Sequence, residues 1–195
     1  MNHIKPLTTA KQHINKSWLA NKFTYFMFLV IASTFNQAIA EETTETTQYD
    51  VLMPYFYAAA RTGDSEVITE FLNSGLPVDI KNNKGYTALM IATYNGRKEI
   101  VDTLINHGAN VCAQDNKGNT ALMAAVFRGE IGIARTLMSE DCDENQQNKA
   151  GQTAVMYASL FGRETLRSLL IERGADINLE DKSGNSAATI EQRFQ

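Results

Sequence analysis

The sequence predicts an all-α solenoid, and three observations carry that reading: a 33-residue repeat, agreement of that repeat in three separate registers, and helical spacing of apolar residues between its glycines. In the first register Gly85-Tyr86-Thr87-Ala88-Leu89-Met90 returns as Gly118-Asn119-Thr120-Ala121-Leu122-Met123, as Gly151-Gln152-Thr153-Ala154-Val155-Met156, and in eroded form as Gly184-Asn185-Ser186-Ala187-Ala188-Thr189. The second is the series Gly63, Gly96, Gly129 and Gly162. The third is Gly75, Gly108 and Gly174, broken only by Asp141. A fixed period means that one small unit is stacked on copies of itself. Ile100, Val101, Leu104 and Ile105 form a stripe with helical spacing that must face a core. An apolar share of 44% with 21% charged residues is that of an ordinary globular chain.

These residues resemble the ankyrin repeat, whose unit is a β-turn followed by two antiparallel helices with the signature T-P-L-H-x-A. The resemblance covers about 55–195 and implies an ankyrin-repeat solenoid of paired antiparallel helices with β-turn connections. Thr87, Thr120 and Thr153 are then N-caps of first helices, because a hydroxyl there accepts a bond from an otherwise orphan N–H. Gly96, Gly129 and Gly162 fall in the turn between helices, and Gly108 and Gly174 at left-handed C-caps. The chain departs from the family at two positions. Ala88, Ala121 and Ala154 stand where Pro is usual, and Met90, Met123 and Met156 where His is usual. Met fills space without the inter-repeat hydrogen bonds a His would make, which predicts weaker coupling between repeats. The expected layout is a degenerate first repeat from about Met53 to Lys81, full repeats over 82–114, 115–147 and 148–180, and a truncated cap from Asp181, so the ankyrin-repeat domain occupies 53–195.

Residues 1–40 read differently. Lys5, Lys11, Lys16 and Lys22 precede a run from Phe23 to Phe35 without charge, and Ala38-Ile39-Ala40 follows. Basic region, apolar core and small-x-small site in that order predict a signal peptide cleaved after Ala40. As a membrane anchor the run is too short, spanning only about 20 Å against a hydrocarbon core of roughly 30 Å. Export places the protein in the periplasm or outside the cell. Residues 41–52 are expected to form a flexible leader, since Glu41 to Gln48 is rich in Glu and Thr without apolar periodicity.

Residues 1–40 hold four of the 18 Lys and Arg and none of the 22 Asp and Glu, which leaves 14 against 22 and a net charge of −8. Nucleic acid and anionic lipid are therefore excluded as partners, and a basic protein would be attracted. Enzymatic chemistry has little material, for there is no P-loop, no H-E-x-x-H, no nucleophile elbow and no metal-spaced C-x-x-C. No cofactor or metal is expected. His107, just before Gly108, reads as a helix C-cap. Glu140, Asp141, Asp143 and Glu144 lack EF-hand spacing and read as a solvated acidic loop. Cys112 and Cys142 lie in the loops that end second helices of neighbouring repeats, and export into an oxidising compartment favours a disulfide over two free thiols. That bridge would hold a loop where Asp141 replaces the capping glycine and Glu144 replaces the apolar Val78, Val111 and Ile177.

The resemblance implies a partner protein, bound by turn tips and first helices, with the chain monomeric on its own. At the turns the candidate residues are Lys84, Tyr86 and Lys117. At the ends of first helices they are Tyr94, Asn95, Phe127, Arg128, Leu160 and Phe161. Tyr94, Phe127 and Leu160 recur at the repeat length and form either a binding ridge or packing beneath the neighbouring turn. Similarity to exported bacterial ankyrin proteins implies a module that sequesters, inhibits or scaffolds a partner: an immunity protein against a toxin, or an accessory to an oxidative-stress enzyme such as catalase. The alternatives are a structural envelope component or an enzyme.

Overall fold

The computed structural model describes residues 45–193, and the expected signal peptide lies outside them. The helices run in the order α1 Glu45–Thr62, α2 Ser65–Asn73, α3 Ala88–Tyr94, α4 Lys98–Asn106, α5 Ala121–Arg128, α6 Ile131–Met138, α7 Ala154–Leu160, α8 Glu164–Glu172 and α9 Ala187–Gln192. No strand occurs among the described residues. First helices α3, α5, α7 and α9 pack in series, second helices α2, α4, α6 and α8 pack in a parallel series, and each pair such as α3 with α4 closes one unit.

α1 begins at Glu45, inside the stretch expected to be a flexible leader. Phe56 is fully buried and meets Phe71 of α2 at 5.4 Å between ring centroids. Once nucleated by that contact, adding turns to a helix costs little. Pro54 sits within α1 without a backbone N–H to donate, on an exposed position.

The capping residues behave as their spacing predicts. The hydroxyls of Thr87, Thr120 and Thr153 accept from Met90, Met123 and Met156 N–H at 3.2 to 3.4 Å, and Ser186 caps α9 in the same way. His107 is the C-cap of α4, with ring Nδ1 2.8 Å from the Thr103 carbonyl. Ala88, Ala121, Ala154 and the three Met side chains are buried between the stacked helices.

A fourth register, of Asn and Asp, holds the turns. Asn82, Asp115, Asn148 and Asp181 recur at 33, and each side-chain oxygen accepts backbone N–H groups two and four residues ahead. Successive turns are then joined by Asn116 N–H to Lys84 O, Lys149 N–H to Lys117 O and Lys182 N–H to Ala150 O, at 2.8 to 3.1 Å. Gly118 has to be glycine for two reasons. Its φ is +80°, and a Cβ there would lie 2.8 Å from the Lys149 nitrogen.

The inter-repeat hydrogen bonds that the Met substitutions forgo at the helix start are made elsewhere. Lys81 Nζ donates to the Gln114 carbonyl, Gln114 Nε2 to that of Gln147, and Gln147 Nε2 to that of Glu180, at 2.8 to 3.1 Å. Polar coupling has moved from the helix start to the residue before each turn.

The break in the third glycine register has a structural counterpart. In three units the N–H of Leu76, Ala109 or Ala175 reaches back to the carbonyl of Phe71, Leu104 or Leu170, the six-residue closure of a glycine-capped helix. At Asp141 that bond is missing: α6 ends at Met138, one residue short of its counterparts in register, and Cys142 N–H turns to Glu140 O instead. Cys142 is bonded to Cys112, with Cα atoms 5.7 Å apart. The bridge also takes the place of a hydrogen bond. At the flanking junctions Asp79 accepts from Asn110 N–H and Asn145 from Asp176 N–H, and Cys112 occupies the same register. Glu144, at the apolar position, is mostly buried and pairs with Arg173 at 2.8 Å.

Candidate protein-binding face

The turns and first helices enclose an open groove of about 580 Å³. Its floor is Met90, Ile91, Met123 and Ala124, with Thr120 beside them; its walls carry Tyr86, Tyr94, Phe127 and Tyr157, and polar groups from Asn95, Asp115, Lys117, Asn119 and Arg61 reach its edges. The floor follows from the repeat. Positions two and three residues into each first helix face the same way in successive units, so Met90 and Met123 fall side by side.

Along one wall the rings touch in sequence. Tyr94 and Phe127 stack with centroids 6.1 Å apart and planes 13° from parallel. Phe127 meets Phe161 edge-on at 4.9 Å, and Phe161 stacks on Tyr157 at 6.1 Å. The Arg128 guanidinium lies 5.0 Å from the Tyr94 ring centre, a cation–π contact. Tyr94 is 47% exposed and Phe161 39%, whereas Phe127 between them is half-buried. The rings thus pack on one another, and the row they make faces solvent.

Of the candidate residues, Tyr86, Tyr94, Asn95, Phe127 and Lys117 line the groove, and Arg128 and Phe161 adjoin it. Leu160 does not continue the ring row. It is exposed at the end of α7, and the row passes through Phe161, one residue beyond the register position. Lys84 is exposed at its turn and contributes its carbonyl to the ladder. Sequence reasoning missed Tyr157, for which only its place one turn before Phe161 was a signal. Its hydroxyl donates to Gln152 Oε1 at 3.2 Å and accepts from Asn148 Nδ2 at 3.4 Å. Burial pushes this phenol above its usual range, with the Asn148 bond opposing and the Asp115 charge adding to the rise. Asn148 Nδ2 also reaches Asn119 Oδ1 at 2.9 Å, so the polar wall of the groove is tied across two repeats.

Net charge misleads about this face. In the turns and first helices of 82–95, 115–128, 148–161 and 181–193 the acids are Asp115, Asp181 and Glu191. The first two cap turns, and Glu191 is bonded to Arg167. Lys84, Lys117, Lys149 and Lys182, one per turn, are exposed and form no ion pair among the described residues. The acidic excess sits on second helices and the loops after them, as in Glu99, Asp102, Glu140, Asp141, Glu164 and Glu172. The attraction to a basic partner inferred from net charge thus belongs to the opposite side, and the groove rim is cationic.

A stack of helix pairs with turns along one edge and an open apolar groove beside them is a helical-repeat binding module, and among the described residues no cluster of metal-ligating side chains accompanies it. A family model for ankyrin repeats, three copies long, matches residues 55–148 and 114–181, so the chain belongs to the ankyrin-repeat family. That membership marks it as a protein–protein interaction module. A comparison with curated proteins finds no match.

Proposed function

We propose that this protein is exported, loses residues 1–40, and uses the groove to sequester, inhibit or scaffold a partner protein in the periplasm or outside the cell. The observation that carries the reading is the row Tyr94, Phe127, Phe161: large rings, in mutual contact, facing solvent beside an apolar floor. Rings of this kind give large contact area at low entropic cost, and anchors of this type dominate interface energies. Support for export comes from the order of basic, apolar and small residues before Glu41 and from the Cys112–Cys142 bridge, a bond that persists in oxidising compartments. The uses implied by resemblance, neutralising a toxin or assisting an oxidative-stress enzyme, both require such a face.

The test is recovery of bound proteins from the cell envelope with the C-terminally tagged chain, beside a folded Tyr94→Ala variant. A partner retained by the parent and lost by the variant is expected, and the recovered protein itself separates a toxin from a stress enzyme. Intact mass of the bait is expected to begin at Glu41. A full-length chain in the cytosol sinks the export half of the proposal; equal recovery by parent and variant sinks the groove.

A further inference from the structure

Resting on that reading, we infer that the groove takes an acidic segment of the partner protein, with an apolar side chain seated on Met90 and Met123 and carboxylates facing the lysines of the turns and Arg128. Three observations converge. The floor is apolar and the rings beside it are already mutually packed, so it offers contact area, while Asp115 and Asn119 at its edge are bonded within the turns. Along the turn edge each repeat presents one exposed lysine, at 84, 117, 149 and 182, and Arg128 stands on the side of the rings. The carboxylates on this face are committed: Asp115 and Asp181 each hold two backbone N–H groups, and Glu191 is held by Arg167.

An incoming carboxylate therefore meets lysines without an ion-pair partner among the described residues and an Arg128 held only by the Tyr94 ring, while the carboxylates an incoming lysine would seek on this face are already bonded. One cation in each successive turn suits a chain lying along the stack more than a single buried charge. Nucleic acid, the other polyanion, is disfavoured by what surrounds the site. Tyr94 and Phe127 already have ring partners, which leaves less flat surface for a base to stack on, and the rest of the molecule carries the acidic excess.

A random peptide library displayed on phage is panned against the C-terminally tagged, oxidised full chain, and recovered peptides are measured by fluorescence polarisation. Binders rich in Asp and Glu around one aromatic or aliphatic residue are expected. Their affinity should fall about tenfold between roughly 0.05 M and 0.5 M salt, as the Debye length shrinks, and by at least about tenfold in a Lys117→Glu/Arg128→Glu variant with unchanged circular dichroism. Peptides that need Phe127 but are neutral or basic, or ignore the charge reversal, overturn the acidic partner and leave the protein-binding groove standing. Failure to recover any peptide sensitive to Phe127→Ala overturns both. A single-stranded oligonucleotide that binds more tightly than any peptide and depends on Lys117 overturns the inference in favour of nucleic acid.

Discussion

Replacing Cys112 and Cys142 together by Ala removes the covalent link between the second and third helix pairs at the one junction that lacks both the glycine closure and the side-chain bond of its neighbours. The cysteines are 30 residues apart, and a loop of that size costs the unfolded chain about 3.7 kcal/mol of closure entropy once bridged. For a domain of this size that corresponds to a fall in melting temperature of about 7–15 °C. A second variant separates the entropy of the bridge from the local repair it performs. Cys112→Asn with Cys142→Ala and Asp141→Gly rebuilds the acceptor found at Asn145 and the closure found at Gly108, each worth about 1 kcal/mol. The rebuilt chain is expected to recover about half of the loss. Thermal and urea unfolding followed by helical circular dichroism measure both, with thiol titration under denaturing conditions showing no free thiol in the parent. Two titratable thiols in the parent, or an Ala/Ala variant that melts with the parent, would refute the reasoning.

Three further outcomes are expected. Gly118→Ala should destabilise more than Gly108→Ala, by about 1 kcal/mol or more in urea midpoints, because both positions have φ near +80° but only at Gly118 would the new Cβ meet a neighbouring backbone nitrogen; at Gly108 it meets nothing within 4 Å. Asp181 is held below the usual carboxylate range, first by the Asn185 N–H bond, so it adds stability above its unfolded value that is lost as pH falls through its folded value. Asp181→Asn keeps the acceptor, as at Asn82 and Asn148, and should flatten the acid limb of the melting profile without opening the turn; an unchanged limb counts against this. Phe127→Ala should lower partner affinity about thirtyfold, or about 2 kcal/mol, while costing roughly 1–2 kcal/mol of stability for its two ring contacts, and equal losses in a variant that unfolds would mark it as packing alone.

Much of the fold was legible because the repeat samples each position several times. Thr87 alone is an ambiguous cap, but with Thr120, Thr153 and Ser186 it fixes where every first helix begins. The Asx register was hidden by its chemistry: Asn82, Asp115, Asn148 and Asp181 alternate in identity, and what they share is one acceptor oxygen. The groove was legible as positions and not as a surface. Periodicity placed Tyr94 and Phe127 in line, yet the next ring is Phe161 and not Leu160, because ring contact depends on side-chain reach and a one-residue offset at the end of α7 is invisible to spacing. Net charge averaged over two faces that the helix pairs separate, which is why it did not show the lysines of the turns.

The bonds from Lys81 to Gln114 to Gln147 to Glu180 run in one direction, each donor reaching forward to the next carbonyl. Such a chain propagates only while its newest member can donate. Lys and Gln can, and an ionised Glu cannot. Glu180 therefore receives a bond from Gln147 without a side-chain donor to pass it forward. A further repeat grafted behind Glu180 would be joined by the backbone ladder of the turns alone, and Glu180→Gln would restore the side-chain donor that Gln114 and Gln147 supply.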